Sequence, residues 1–137
     1  VGSEMCIRDR SGPLLDRFDI SCEVARPAGE ALKSATGDVE SRVARERVLV
    51  ARAAQEERWG LGGSNAAASV EELERHGICA PALATADRAY ESGHISMRGR
   101  TRLLRTARTI ADLDGATDIG SEHVLAALVM RTRPRRV

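Results

Sequence analysis

The sequence runs to 137 residues with 21 Lys plus Arg against 20 Asp plus Glu, a net charge of +1, so it is neither polycation nor polyanion. Apolar residues make up 42% but aromatics only 2%, which argues against an all-β sandwich or barrel and for a helical fold rich in Ala, Leu and Arg. The length suits one domain with one core, and no apolar run approaches the ~20 residues that span a bilayer, so no membrane partner is expected.

Residues 1–10 show neither helical nor strand periodicity and are set aside as a non-native leader that resembles translated adapter sequence. Gly12-Pro13 marks a turn or helix start, and Leu14, Leu15 and Phe18 are spaced for one short amphipathic helix. Phe18, Ile20, Cys22 and Val24 then alternate with Asp19, Ser21 and Glu23, the period-two pattern of a strand. A lone strand needs a sheet that this stretch does not supply. Residues 11–37 therefore read as the remnant of a larger core plus a linker, with residues 1–24 poorly anchored.

Residues 38–59 carry a helical pattern, with Ala44, Val48, Ala51 and Gln55 on one stripe and an Arg42/Glu46 pair on the polar face. Gly60, Gly62 and Gly63 stop it, and Asn65 follows in a loop. Ser69 and Glu72 have the spacing of a capping box ahead of a short helix bearing Val70 and Leu73. A further helix is expected from Pro81 to Ser92, with Leu83, Ala86, Ala89 and Tyr90 apolar. Ser96 is a good N-cap for the clearest helix, whose Leu103, Leu104, Ala107, Ile110 and Ala111 form a buried stripe. A last helix begins near Ser121 with a stripe of Val124, Leu125, Leu128 and Val129, and a basic tail follows from Arg131. The helices from Ser96 and Ser121 are expected to pack together.

The bases are almost all arginine, whose planar fork suits phosphate and carboxylate; Lys33 is the one lysine. Arg17 stands at the helix-to-strand corner between Asp16 and Asp19, either as a salt-bridged surface residue or as a cation projecting towards a partner. Arg98 falls in the first turn after Ser96, where helix amides and the positive end of the macrodipole already favour an anion. Arg102 and Arg105 extend that strip on the side opposite the apolar stripe, and the alternative reading is a solvated polar face. The tail from Arg131 to Arg136 could touch phosphates, but a frayed, solvated terminus is the preferred reading. His76, His94 and His123 lack ligand spacing and read as structural, His123 as a buried or capping residue. Cys6, Cys22 and Cys79 form no CxxC pair, so neither zinc nor a disulfide framework is expected and a reducing cytoplasm fits. No G-x-x-x-x-G-K-[ST] loop occurs, so these residues cannot cradle nucleotide phosphates by themselves.

SGPLLDRFDI, then ISMRGRTRLLRTARTIADLDG, then DIGSEHVLAAL together resemble the C-terminal part of the magnesium-chelatase-like AAA+ ATPases of the ComM type. RVLVARAAQEER and the glycine-rich turn before Asn65 are similar to that family's helical insert and connector. The resemblance implies a mainly α chain. It would hold the truncated C-terminal end of an AAA+ α/β core, one helix and one strand, followed by a helical insert over 38–68 and a helical lid over 69–137. It implies ATP and Mg2+ as cofactors, bound mainly by residues outside this chain, and a homo-oligomeric ring expected to be a hexamer. The full-length protein would hydrolyse ATP and remodel or translocate DNA in a competence or recombination context, whereas this chain alone would be inactive. By the same resemblance Arg17 is similar to the arginine finger that acts on the neighbouring subunit's nucleotide. Arg98 is similar to sensor 2, with Arg102 a further nucleotide contact. Arg100 departs from the family, which often has an aromatic there; by helical angle it must snorkel or sit at the rim, and it leaves open which of Arg98 and Arg100 meets phosphate. Two other functions stand beside this one: a non-enzymatic helical module that binds nucleic acid through the Arg98–Arg108 face, and a subunit of a metal-chelatase motor complex.

Overall fold

The computed structural model describes residues 17–22 and 37–131. The described residues form five helices and no strand: α1 (Gly37–Trp59), α2 (Val70–Arg75), α3 (Ala80–Glu91), α4 (Met97–Leu113) and α5 (Ser121–Arg131). None of these helices is long and apolar enough to cross a membrane. α4 is the hub. It packs most extensively on α5 and also touches α1, α2 and α3, while α3 and α5 close the remaining side.

The caps follow the sequence closely. Ser69 Oγ accepts from the Glu72 amide at 3.2 Å and Glu72 Oε2 accepts from the Ser69 amide at 2.7 Å, a complete capping box. Ser96 Oγ accepts from the Gly99 amide at 3.0 Å and starts α4. Between α2 and α3 the chain turns at Gly77, whose φ of +96° lies in the left-handed region, and a Cβ there would collide with the Asp118 carboxylate. That close approach lets Ile78 and Ile119 form an isolated parallel bridge, with the Ile119 amide donating to the Gly77 carbonyl at 2.9 Å.

The apolar core is small and alanine-rich: Leu73, Ala82, Ala86, Leu103, Leu104, Ala107, Ile119, Val124 and Ala127 are all buried. Small side chains let the helices approach closely, so α4 can stand at the centre of four neighbours. In α1 the expected stripe is only half used. Ala51 and Gln55 are buried, but residues 40–50 are exposed throughout because that half of the helix runs past the body, meeting it at the exposed Arg47–Asp114 pair. In α5 the buried face is His123, Val124 and Ala127, while Leu125 and Val129 point outward, a rotation from the expected stripe. The rotation follows from α5 packing against both α3 and α4, which places positions 123, 124 and 127 inward.

The expected helix at Leu14–Leu15 and the leader lie outside the described residues. Residues 17–22, the described part of the expected strand, form a turn and bend without strand pairing, since no sheet edge is present among the described residues to receive them. They are nonetheless anchored, contrary to expectation: the Ser21 amide donates to the Met130 carbonyl at 2.8 Å.

A polar cluster joins α1, α4 and the loops after each. The Asp112 carboxylate, buried on α4, accepts from Arg58 Nη1 and Nη2 at 3.2 and 2.7 Å, from Asn65 Nδ2 at 2.8 Å and from Arg108 Nε at 3.0 Å. Asn65 Oδ1 accepts from Trp59 Nε1 at 2.8 Å, its Nδ2 also donates to Thr109 Oγ1 at 3.1 Å, and its amide donates to Gln55 Oε1 at 3.2 Å. Arg108 spends its remaining donors on the carbonyls of Thr117 and Ala116, at 2.8 and 2.6 Å. No buried side-chain polar atom among the described residues lacks a partner. Burial pushes the Arg108 guanidinium below its ordinary value, and Asp112 opposes that shift.

Removing one partner from such a cluster strands a buried charge. Asp112→Ala should therefore cost about 3–5 kcal/mol in urea unfolding. Arg47→Ala, at the exposed 4.0 Å pair with Asp114, should stay within about 1 kcal/mol of wild type. The Ser69 cap, through the backbone and side-chain hydrogen bonds it makes, holds the Glu72 carboxyl below its ordinary value. A depressed carboxylate contributes stability above its unfolded pKa and loses it as pH falls through the folded one. Protection of the α2 amides should accordingly persist above about pH 4.5 and decline below it, and Ser69→Ala should remove that pH dependence.

Candidate functional site

α4 begins where three elements meet. Its first turn, capped by Ser96, carries Arg98 on the outside and Gly99 on the inside. Gly99 is buried for a steric reason: a Cβ there would stand 3.2 Å from Arg131 Nη2 and 3.2 Å from Ile95 Cβ. The Arg131 side chain, only 10% exposed, thus reaches from the last turn of α5 against the start of α4. Its Nη1 donates to the Phe18 carbonyl at 3.3 Å and stands 3.9 Å from Asp19 Oδ1. Arg102, one turn beyond Arg98, holds the same Asp19 oxygen at 2.7 Å through Nε. The segment 17–22 is consequently docked on α4 and the end of α5 by one carboxylate between two guanidiniums and by backbone bonds on either side of it.

The expected site residues fall into three situations. Arg98 is exposed, and its guanidinium has no acid partner among the described residues. Arg17 is exposed in the turn just before the docked stretch. Arg102 is partly buried and engaged with Asp19. The structure therefore brings the Arg17 segment to the helix of Arg98 and Arg102, although Arg17 and Asp19 do not pair, as a simple salt-bridged corner would require. Arg100 sits at the rim, its side chain 13% exposed and its Nε on Asp87 at 2.6 Å, which ties α4 to α3.

The basic run over 98–108 is not an open basic face. Arg105 Nε donates to the Ala68 carbonyl at 2.7 Å, and Arg108 is fully buried. Arg108 departs most from a solvated strip, because every third or fourth position of α4 returns to the core and this one meets Asp112 there. Arg131 likewise belongs to the packed structure rather than to a frayed tail. His123 is buried and caps α5, its Nδ1 accepting from the Gly120 amide at 2.8 Å. Cys79 Sγ donates to the Ile119 carbonyl at 3.1 Å. Among the described residues no cluster of His, Cys, Asp or Glu could hold a metal ion.

Sequence spacing missed Asp19 and Arg131 as partners. Their signal lay in the acid two residues after Arg17 and in a glycine inside the α4 first turn, which is costly in a helix unless something must pass close by.

Residues 38–131 match the family described as magnesium chelatase, subunit ChlI C-terminal. The chain is 37% identical over 129 residues to competence protein ComM of Haemophilus influenzae, covering 91% of the chain and 25% of ComM. It is 33% identical over 131 residues to the uncharacterized protein YifB of Escherichia coli, covering 91% of the chain and 25% of YifB. An uncharacterized protein of Mycobacterium tuberculosis is 40% identical over 124 residues, 88% of the chain and 24% of that protein. The chain thus spans about a quarter of the length of the curated relatives it matches.

The arginines of α4 should separate cleanly by stability. Arg98→Ala should lie within about 0.5 kcal/mol of wild type in urea unfolding, as expected for an exposed residue with no packing role. Arg108→Ala should cost about 3 kcal/mol or more, because it leaves Asp112 buried with one cation fewer.

Proposed function

The chain belongs to the magnesium chelatase ChlI C-terminal family, and on that footing we propose that it is the C-terminal part of a ring-forming AAA+ ATPase of the ComM type. In this reading residues 11–37 close the α/β core, residues 38–68 are a helical insert and connector, and residues 69–137 form the lid. The full-length protein hydrolyses ATP with Mg2+ in a homo-oligomeric ring, in the hexameric arrangement, and applies the motion to DNA in the cytoplasm. The residues for Mg2+ and for the base of the nucleotide site lie outside this chain.

The observation that carries the reading is the contrast on α4: of the arginines over 98–108, Arg98 alone is exposed and without an acid partner among the described residues. An uncompensated cation in the first turn of a rigid, centrally packed helix is suited to an incoming phosphate, and the helix amides add to the same field. This favours Arg98 over Arg100 as sensor 2, since Arg100 is committed to Asp87. Arg98 would contact the γ-phosphate in its own subunit and report its presence through α4 to the whole lid. Arg17, exposed at the surface, would supply the finger to the neighbouring subunit's nucleotide. A cation brought in from outside stabilises the charge that spreads over the transferring phosphoryl oxygens, and it makes hydrolysis depend on assembly. The same contrast weakens the nucleic-acid-module reading, because the arginines that face needs are engaged within the fold.

In the full-length protein Arg17→Ala should lower ATP turnover by about 10³-fold or more while nucleotide binding stays near wild type, as measured by steady-state hydrolysis and fluorescent nucleotide titration. Unchanged turnover would remove the finger assignment. Arg98→Ala should weaken the response of lid protection to nucleotide in amide exchange, and an undiminished response would remove the sensor assignment.

A further inference from the structure

The docked segment links the two arginines of the proposed site through groups that neither role requires. Asp19 lies two residues after Arg17, and its carboxylate is held by Arg102 Nε at 2.7 Å with Arg131 Nη1 at 3.9 Å. The bonds flanking it, Arg131 Nη1 to the Phe18 carbonyl at 3.3 Å and the Ser21 amide to the Met130 carbonyl at 2.8 Å, fix the backbone on both sides. Arg102 stands one helical turn from Arg98 on α4, and Arg131 lies against Gly99, the residue next to Arg98. A rotation of α4 that follows Arg98 therefore pulls on Asp19, and Asp19 is covalently two residues from Arg17.

We propose that Asp19 is a positioning residue that ties the Arg17 segment to the Arg98 helix through the Arg102–Asp19–Arg131 clamp, so that the state of one subunit's nucleotide sets the placement of the cation it offers its neighbour. The proposal rests on the finger and sensor reading of Arg17 and Arg98. Its physical basis is local. The Arg102 and Arg131 side chains are 22% and 10% exposed, so the carboxylate, itself on a side chain 47% exposed, is gripped by two largely packed side chains. Such a bond is stiffer than a surface pair and still breakable, which suits a coupling element. Phe18 and Ile20, on either side of Asp19, are more than half exposed, so their apolar contact with the body is partial and the charge contact adds to it.

The test uses the full-length protein that carries this chain, with amide exchange and ATP turnover read on the same preparation. Asp19→Asn is close to isosteric at a half-exposed position, so the fold is retained. It should speed exchange of the Ser21 amide about fivefold or more. It should also lower kcat roughly 10- to 100-fold with KM for ATP little changed, as misplacement of a catalytic group does. Asp19→Glu, which keeps the charge, should hold both near wild type. Arg102→Met should raise Ser21 exchange as Asp19→Asn does, and the double variant should raise it no further. Wild-type Ser21 protection or wild-type kcat in Asp19→Asn overturns the proposal, as does a drop in kcat that Asp19→Glu shares in full. Failure of the finger reading is distinguishable: Arg17→Ala would then turn over normally, which also ends the catalytic half of this proposal, while Ser21 exchange in Asp19→Asn would still report whether the clamp holds the segment.

Discussion

The structure depends on Asp112. A fold with so few aromatics and so many alanines in its core gains little apolar burial per residue, about 25 cal/mol for each Å² removed from water. It has to obtain its specificity elsewhere. Asp112 supplies it by gathering Arg58 from α1, Asn65 from the following loop and Arg108 from its own helix into one dry cluster. Arg108 in turn holds the carbonyls of Ala116 and Thr117 and so fixes the chain that leads into α5. A buried cluster of this kind is satisfied only in one arrangement, so it sets register between α1 and α4 more sharply than alanine packing could.

That constraint sorts the arginines. Arg58 and Arg108 serve the polar core, Arg100 ties α4 to α3, Arg105 holds the Ala68 carbonyl, and Arg102 and Arg131 grip Asp19. Each of these cations is answered by an acid or a carbonyl within the fold. Among the described residues Arg98 and Arg17 stand outside that scheme, exposed, as are Arg42, Arg45 and Arg52 on α1.

Much of this was legible in the sequence where the determinants are local. The Ser69/Glu72 box, the Ser96 cap and the glycine stops are short-range codes, and the helix limits followed from them. The apolar stripe of α4 was legible too, because a helix surrounded by neighbours shows its buried face in its own period. The stripe of α5 was harder: Leu125 and Val129 look like core by spacing and are exposed, because packing against two helices selects a different face. In α1 the pattern gave a stripe twice as long as the part that finds a partner. The polar core was hidden for a different reason. Asp112 meets residues 54 and 47 positions away, and although the period of α4 turns position 108 inward, nothing in the spacing names the acid that meets it there. The clamp on Asp19 is longer in range still, joining Phe18 to Arg131 across 113 positions. The family resemblance pointed to Arg17 and Arg98 through its motifs, but it carried no information about which arginines are engaged within the fold.

We propose that the polar core holds α4 so that Arg98 serves its own subunit's nucleotide while Arg17 serves the next one. Mixing tests this most directly. Full-length Arg17→Ala and Arg98→Ala proteins, each defective alone, would be combined into mixed rings and ATP hydrolysis followed against mixing ratio. Cis and trans roles predict recovery, since a subunit with intact Arg98 beside a neighbour with intact Arg17 rebuilds a complete site, and turnover should peak at intermediate ratios. Activity that stays at the level of the two defective proteins at every ratio, in rings shown to be mixed, would contradict the account.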